Sequence, residues 1–185
     1  GYVRLAIRGL ESAGVKASAI PAGISGHKSN QMLARLERDV LSKNPNWMTL
    51  SCGVNDVWHG KRGVNLADYK TNITKIVERC QEAGVKVVLL TSTMIGEDKN
   101  NANNKKLATY NDFLKELAKE KKCLLADLNA GMQSIIEASN DKKNGKLLTS
   151  DGVHMNPDGN KMMATGVLEA LGLNAEQIKA AQAAW

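Results

Sequence analysis

Along residues 2–13 the apolar positions Val3, Ile7, Leu10 and Ala13 recur at helical spacing, which predicts a helix with one buried face. Gly14 supplies its C-terminal stop. Residues 15–20 then read as a short strand that ends at Pro21-Ala22-Gly23. A glycine-punctuated loop over residues 23–30 feeds a helix with Met32, Leu33, Leu36 and Val40 on its buried side, broken by Asn44-Pro45-Asn46. Residues 47–52, Trp-Met-Thr-Leu-Ser-Cys, form the continuous apolar-leaning run expected of a buried parallel strand. It stops at Gly53-Val54-Asn55-Asp56, and a loop holding Trp58, His59 and Gly60 follows. Helical spacing returns over residues 68–83, with Tyr69, Ile73, Ile76, Val77 and Cys80 inward and Gly84 closing. Residues 85–91 are the clearest strand. A polar loop over 93–104 leads into a helix over 105–121 carrying Leu107, Tyr110, Asn111, Leu114 and Leu117. Residues 123–128 read as another buried strand, 130–138 as a helix and 141–145 as a hydrophilic turn. The chain ends with 158–171 and an Ala-rich helix capped by Asn174.

Four strands separated by helices, each crossover long enough for right-handed closure, predict an α/β fold: a parallel sheet covered on both faces. At 185 residues, without repeat or linker, the chain reads as a single domain over 1–185. In such a fold the functional loops gather at the carboxyl ends of the strands. Three glycine-containing stretches are expected there: Gly23–Gly26, Gly53–Asn55 and Asp151–His154.

Charge and cysteines change this picture little. The formal charge of +6 is spread over helix faces such as residues 115–122, with few aromatics beside it, so it reads as a solvated face and not as a nucleic-acid site. No apolar stretch reaches the length of a membrane span. Cys52, Cys80 and Cys123 make an odd count without metal-ligand spacing, and buried free thiols are the expectation.

The candidate chemistry centres on Ser150-Asp151-Gly152-Val153-His154-Met155-Asn156-Pro157-Asp158-Gly159. A carboxylate three residues before an imidazole, on a turn, can reach Nδ1–H and hold one tautomer. Nε2 is then left to take a proton from a hydroxyl nucleophile. The plainer reading is an Asx-turn with an exposed His. Gly23-Ile24-Ser25-Gly26 lets backbone N–H groups approach a ligand, or is a tight turn before a helix capped by Ser29 or Asn30. Asn55 presents an uncharged amide at a strand end, where it can support a developing oxyanion or simply make a turn. Together the three stretches point to acyl transfer. A metal site at Asp151, His154 and His59 has no ligand spacing behind it.

These stretches resemble the SGNH hydrolases, the GDSL-type esterase and lipase superfamily. Gly-Ile-Ser-Gly is similar to the second block of that family, Gly-Val-Asn-Asp to the third and Asp-Gly-Val-His to the fifth. The resemblance implies a three-layer α/β/α, flavodoxin-like fold and a serine ester hydrolase working through an acyl-enzyme, with no metal or organic cofactor. It implies Gly26 N–H and the Asn55 amide as oxyanion-hole donors, His154 as general base then acid, and Asp151 as its orienting carboxylate. Trp58 and His59 are candidate substrate-binding residues, and a small acyl ester such as an acetylated carbohydrate is the expected substrate. Lysophospholipase or thioesterase activity, and an inactive domain that binds a glycan or protein partner, are the alternatives.

The family's first block, a strand followed by Gly-Asp-Ser with the nucleophilic serine, has no counterpart here: no Gly-Asp-Ser occurs in the sequence. The chain also opens on Gly-Tyr-Val-Arg, without an initiator Met. It is therefore expected to lack an N-terminal segment that carries the serine and completes the sheet, and to be inactive without that segment.

Overall fold

A computed structural model describes residues 1–139 and 146–185; the turn expected over 141–145 lies outside the described residues. Elements follow in the order α1 (Tyr2–Ser12), α2 (Ser29–Ala34), α3 (Leu36–Asp39), β1 (Trp47–Ser51), α4 (Val54–Trp58), α5 (Leu66–Glu82) and β2 (Lys86–Leu90). After these come α6 (Ala102–Glu120), β3 (Leu124–Ala126), α7 (Leu128–Ala138), α8 (Pro157–Ala170) and α9 (Ala175–Ala183). They divide into two compact units. One comprises Gly1–Ala19, Thr93–Lys99 and Ala126–Trp185, and the other Ile20–Ser92 and Asn100–Leu125.

The unit containing Ile20–Ser92 is built on the sheet. Its order is β1-β2-β3, and β1 runs parallel to β2 with Trp47 opposite Lys86 and Ser51 opposite Leu90. Central β2 is buried from Val87 to Leu90, whereas β1 buries only Leu50, and Trp47, Thr49 and Ser51 are exposed. The α/β class with a parallel sheet is therefore present as expected. Every apolar position predicted to face inward on α5 and α6 is buried. Tyr69 and Tyr110 lie 4.7 Å apart between ring centres, and their hydroxyls donate to Cys52 O and Val64 O, each at 2.7 Å. Two large rings thus enter the core with their polar ends satisfied. The caps explain where the helices begin: Asn65 accepts from Asp68 N, and Asn101 from Asn104 N.

In the unit containing Gly1–Ala19, α1 packs on α8 and α9. The face of α1 is not the one its large residues mark. Ala6 and Gly9 are buried, and Val3 is 40 % exposed. A methyl group at Gly9 would fall 2.5 Å from Leu168 Cδ1, so the helices meet through small residues. Helix α8 starts on Asn156, whose Oδ1 accepts Gly159 N, with Pro157 at its first position. Met94, Met132 and Leu148 form a small core, with Leu147, Met155 and Met162 packed against it.

Four local expectations are corrected. Residues 15–20 form no strand; Val15 and Ile20 are 47 % and 46 % exposed. A strand needs a neighbour for its N–H and C=O groups, and this segment pairs with none of the described strands. The helix carrying Met32 and Leu36 is broken at Arg35 into α2 and α3. Trp58, expected in a loop with His59 and Gly60, instead ends helix α4, which begins right after Gly53: Gly53 has φ +139, and Val57 N–H returns to Gly53 O. Cys52 and Cys80 are buried, but Cys123 is only partly so, because it precedes the exposed start of β3. Among the described residues no helix is long and apolar enough to cross a membrane.

Candidate active site

Asp151 and His154 occupy a closed loop between α7 and α8. Thr149 and Met155 form an antiparallel bridge, Ser150 N–H donates to His154 O at 2.8 Å, and Asn156 N–H to Leu148 O at 3.0 Å. The Asn156 side chain, besides capping α8, donates to Leu147 O at 2.9 Å. Inside this frame Asp151 Oδ1 accepts the N–H groups of Val153 at 2.9 Å and His154 at 2.8 Å, and Oδ2 lies 2.6 Å from His154 Nδ1. The Asx-turn and the tautomer-setting contact are thus not rivals: one oxygen makes each. The His154 N–H is the main reason the Asp151 carboxyl is held well below the usual carboxylate range, followed by the His154 ring and the Val153 N–H. Among the described residues Nε2 has no hydrogen bond, and the His154 side chain is 65 % exposed. A carboxylate on Nδ1 and an open Nε2 make an imidazole able to take a proton from a hydroxyl and return it.

The other candidates belong to the sheet-bearing unit. Gly26 has φ +76, with open space where a Cβ would stand. The next residue, His27, accepts a hydrogen bond at 3.2 Å from Asn55 Nδ2 through its carbonyl. Asn55 is therefore anchored beside Gly26, and one amide hydrogen remains for a ligand. Three supports hold this corner, and none has a local sequence signal. Asp56 is fully buried; its Oδ1 accepts Ser29 N–H at 3.0 Å and Ser29 Oγ at 2.6 Å, and Cys52 Sγ lies 3.4 Å from Oδ2. Arg35, 8 % exposed, donates to Ala22 O at 2.5 Å and to His27 Nδ1 at 3.2 Å, clamping the loop from both sides. Cys52 O accepts from Tyr69 and from Ser92 Oγ, which fixes the turn between β1 and α4, the helix that carries Asn55. Asp56 belongs to a motif visible in the sequence but reads there as a turn residue, because its partner Ser29 is 27 positions away.

Trp58 is 44 % exposed and lies 5.8 Å from His59, ring centre to ring centre, with the planes tilted by 36°. This leaves an amphipathic aromatic pair at the surface, close to Asn55 in sequence. No cluster of three or more potential metal ligands occurs among the described residues. Sequence reasoning also misses Glu97. Its carboxylate accepts the N–H groups of Leu147, Leu148 and Thr149 and the Thr149 hydroxyl, at 2.6–2.9 Å.

The chain resembles several known proteins. An acetylxylan esterase of Geobacillus stearothermophilus is 24 % identical over 157 residues, covering 81 % of this chain and 70 % of that protein. The uncharacterized lipoprotein YqeF of Bacillus subtilis (strain 168) is 25 % identical over 166 residues, covering 78 % and 67 %. Among solved structures, the acetyl xylan esterase AlAXEase superposes with a TM-score of 0.83 at 30 % identity, over 92 % of this chain and 90 % of that one. Axe2, an acetylxylan esterase from Geobacillus stearothermophilus, superposes at 0.86 and 23 % identity, over 94 % and 82 %. Structures of Axe2 include catalytic mutants of a serine, of an aspartate and of a histidine three positions after that aspartate. The model of the GDSL-like Lipase/Acylhydrolase family matches residues 2–162, and the chain belongs to that family.

Proposed function

We propose that this protein is a serine ester hydrolase that removes small acyl groups, acetyl foremost, from carbohydrate. The observation that carries the reading is the Asp151 Oδ2 to His154 Nδ1 contact of 2.6 Å, made by a carboxylate whose other oxygen is held by two backbone N–H groups. The three-residue spacing is that of the aspartate and histidine mutated as catalytic in Axe2. The acetylxylan esterases among its relatives, and the exposed Trp58 with the half-buried His59 beside it as a surface for a sugar ring, support the substrate class.

In this mechanism a serine Oγ attacks the ester carbonyl while His154 Nε2 takes its proton. Asp151 holds the Nδ1–H tautomer and stabilises the imidazolium. Gly26 N–H and the Asn55 amide donate to the developing oxyanion. The imidazolium returns the proton to the departing alcohol, and the acyl-enzyme forms. Water, activated by the same imidazole, then releases the acid. The serine is proposed to come from a segment outside these 185 residues that adds a strand to the sheet, and the place of β1 at the edge of the sheet, paired among the described strands with β2 alone, is in keeping with such a neighbour.

On the natural full-length protein, acetate release from acetylated xylo-oligosaccharide and turnover of p-nitrophenyl acetate test the reading. His154→Ala should lower kcat by about 1000-fold or more without unfolding the protein. Turnover within tenfold of wild type would remove His154 from the mechanism. Release of long acyl chains in preference to acetyl would replace the substrate class with the lysophospholipase or thioesterase alternative.

A further inference from the structure

Three consecutive backbone N–H groups, of Leu147, Leu148 and Thr149, converge on the Glu97 carboxylate. Leu147 N meets Oε2 at 2.6 Å, while Leu148 N and Thr149 N meet Oε1 at 2.9 and 2.8 Å. The Thr149 hydroxyl donates to the same Oε1 at 2.7 Å, and its oxygen accepts Gly152 N–H at 3.2 Å. On the other side of Asp151, Gly152 O accepts the N–H of Gly96, the residue before Glu97, at 2.6 Å. Residues 96–97 therefore grip the loop both before Asp151 and just after it.

This grip is more than is needed to satisfy polar groups. Leu148 and Thr149 are buried, so their N–H groups need acceptors. Any water or backbone carbonyl could serve each one singly. A single carboxylate bonded to all three fixes their relative orientation, as a ring of successive N–H groups does around an anion. Asp151 and His154, by contrast, have side chains 53 % and 65 % exposed, with little packing to hold them. Their alignment rests on the backbone beneath.

We propose that Glu97 is a positioning residue for the Asp151–His154 pair: by clamping Leu147–Thr149, and Gly152 through the Thr149 hydroxyl, it sets where Asp151 meets the ring and hence which tautomer His154 presents. Glu97 touches neither substrate nor reacting atoms. The inference rests on reading His154 as the general base, but its test observes the imidazole directly and requires no turnover.

The tautomer is read from long-range 1H–15N spectra of the His154 ring under mildly alkaline conditions, in wild type, Glu97→Ala, Glu97→Gln and Thr149→Val. Wild type should show the proton on Nδ1 alone. Glu97→Ala, checked for fold by circular dichroism, should lose that single-tautomer signature and give a mixture. Glu97→Gln keeps an acceptor for three of the four contacts and turns an amide NH2 toward Leu147 N–H, so its mixing should be intermediate. Thr149→Val, checked for fold in the same way, cuts the link to Gly152 and should also mix.

Where an ester assay is run, Glu97→Ala should lower kcat by up to about 100-fold with KM little changed, as displacing a reacting group by about 1 Å does. A folded Glu97→Ala protein with an unmixed Nδ1–H tautomer overturns the proposal. If Glu97→Ala does not fold, an unmixed tautomer in both Glu97→Gln and Thr149→Val overturns it, as does a wild type without the single tautomer. A wild type with the tautomer held but no ester turnover refutes the esterase reading and leaves the role of Glu97 standing.

Discussion

Replacing Asp151 with asparagine separates the two tasks its carboxylate performs. Oδ1 accepts from Val153 N–H and His154 N–H, and Oδ2 faces His154 Nδ1. An asparagine has one oxygen for these two faces. Keeping the turn puts the oxygen on the two backbone N–H groups and the NH2 against Nδ1, so the ring must place its proton on Nε2. The base then points a proton at the nucleophile it should deprotonate. In a serine-protease triad the same substitution lowers kcat by about 10,000-fold through the wrong tautomer, and a loss of that order is expected here. Stability should change far less near neutral pH, because the turn keeps both backbone contacts. The acid side behaves differently. Asp151 titrates below its unfolded value, so its stabilisation is complete above about pH 4 and fades as pH falls toward the folded value. The Asp151→Asn variant has no carboxyl to protonate there and should lack that fading. The assay pairs kcat for p-nitrophenyl acetate on the full-length protein with thermal melts from neutral to acid pH. Turnover within tenfold of wild type, with the turn intact, would refute the tautomer argument.

Two further outcomes follow from the sheet-bearing unit. Asn55→Ala should lower kcat by about 100–1000-fold with KM nearly unchanged, since an oxyanion donor is used fully only in the transition state. Loss of the bond to His27 O should cost stability only about 0.5–1.5 kcal/mol, and a variant with full turnover per folded molecule removes Asn55 from the oxyanion hole. Gly53→Ala should destabilise by at least about 1–3 kcal/mol in urea unfolding, because φ is +139 and the new methyl would collide with Ser92 Oγ; an unchanged midpoint contradicts this.

The parts of the fold legible in the sequence are those governed by local period. α5 and α6 carry stripes wide enough to name their inward apolar residues, and Asn174 caps α9 where the pattern begins. The period fails where packing uses small residues. On α1 the largest side chains suggest the face of Val3 and Ile7, but Ala6 and Gly9 are buried because close approach to Leu168 and Ala181 needs small groups. Residues 15–20 look like a strand because β propensity is local, whereas pairing is not. The Asp151–His154 contact is legible because its partners are three residues apart. Glu97, Arg35 and Asp56 are not, since the contacts by which they hold the loops reach Thr149, His27 and Ser29, which lie 52, 8 and 27 positions away, and no spacing rule connects them.

The distribution of burial around the site separates geometry from stability. In the serine-protease triad the aspartate is buried. Here both side chains are more than half exposed, and water screens an exposed ion pair, so Asp151 and His154 are not held together by burial. Precision has to come from the backbone, which is closed by the Thr149–Met155 bridge, the Ser150 and Asn156 hydrogen bonds and the Glu97 carboxylate. Asp56 is the opposite case. It is fully buried and committed to Ser29, so removing its acceptor strands a buried N–H and hydroxyl, at about 1–3 kcal/mol for each unsatisfied group. Substitutions in the Asp151–His154 loop should therefore reduce rate while leaving most of the stability, and substitutions at Asp56 should reduce stability first. Because the two losses have different physical origins, comparing turnover per folded molecule with the unfolding midpoint distinguishes them residue by residue.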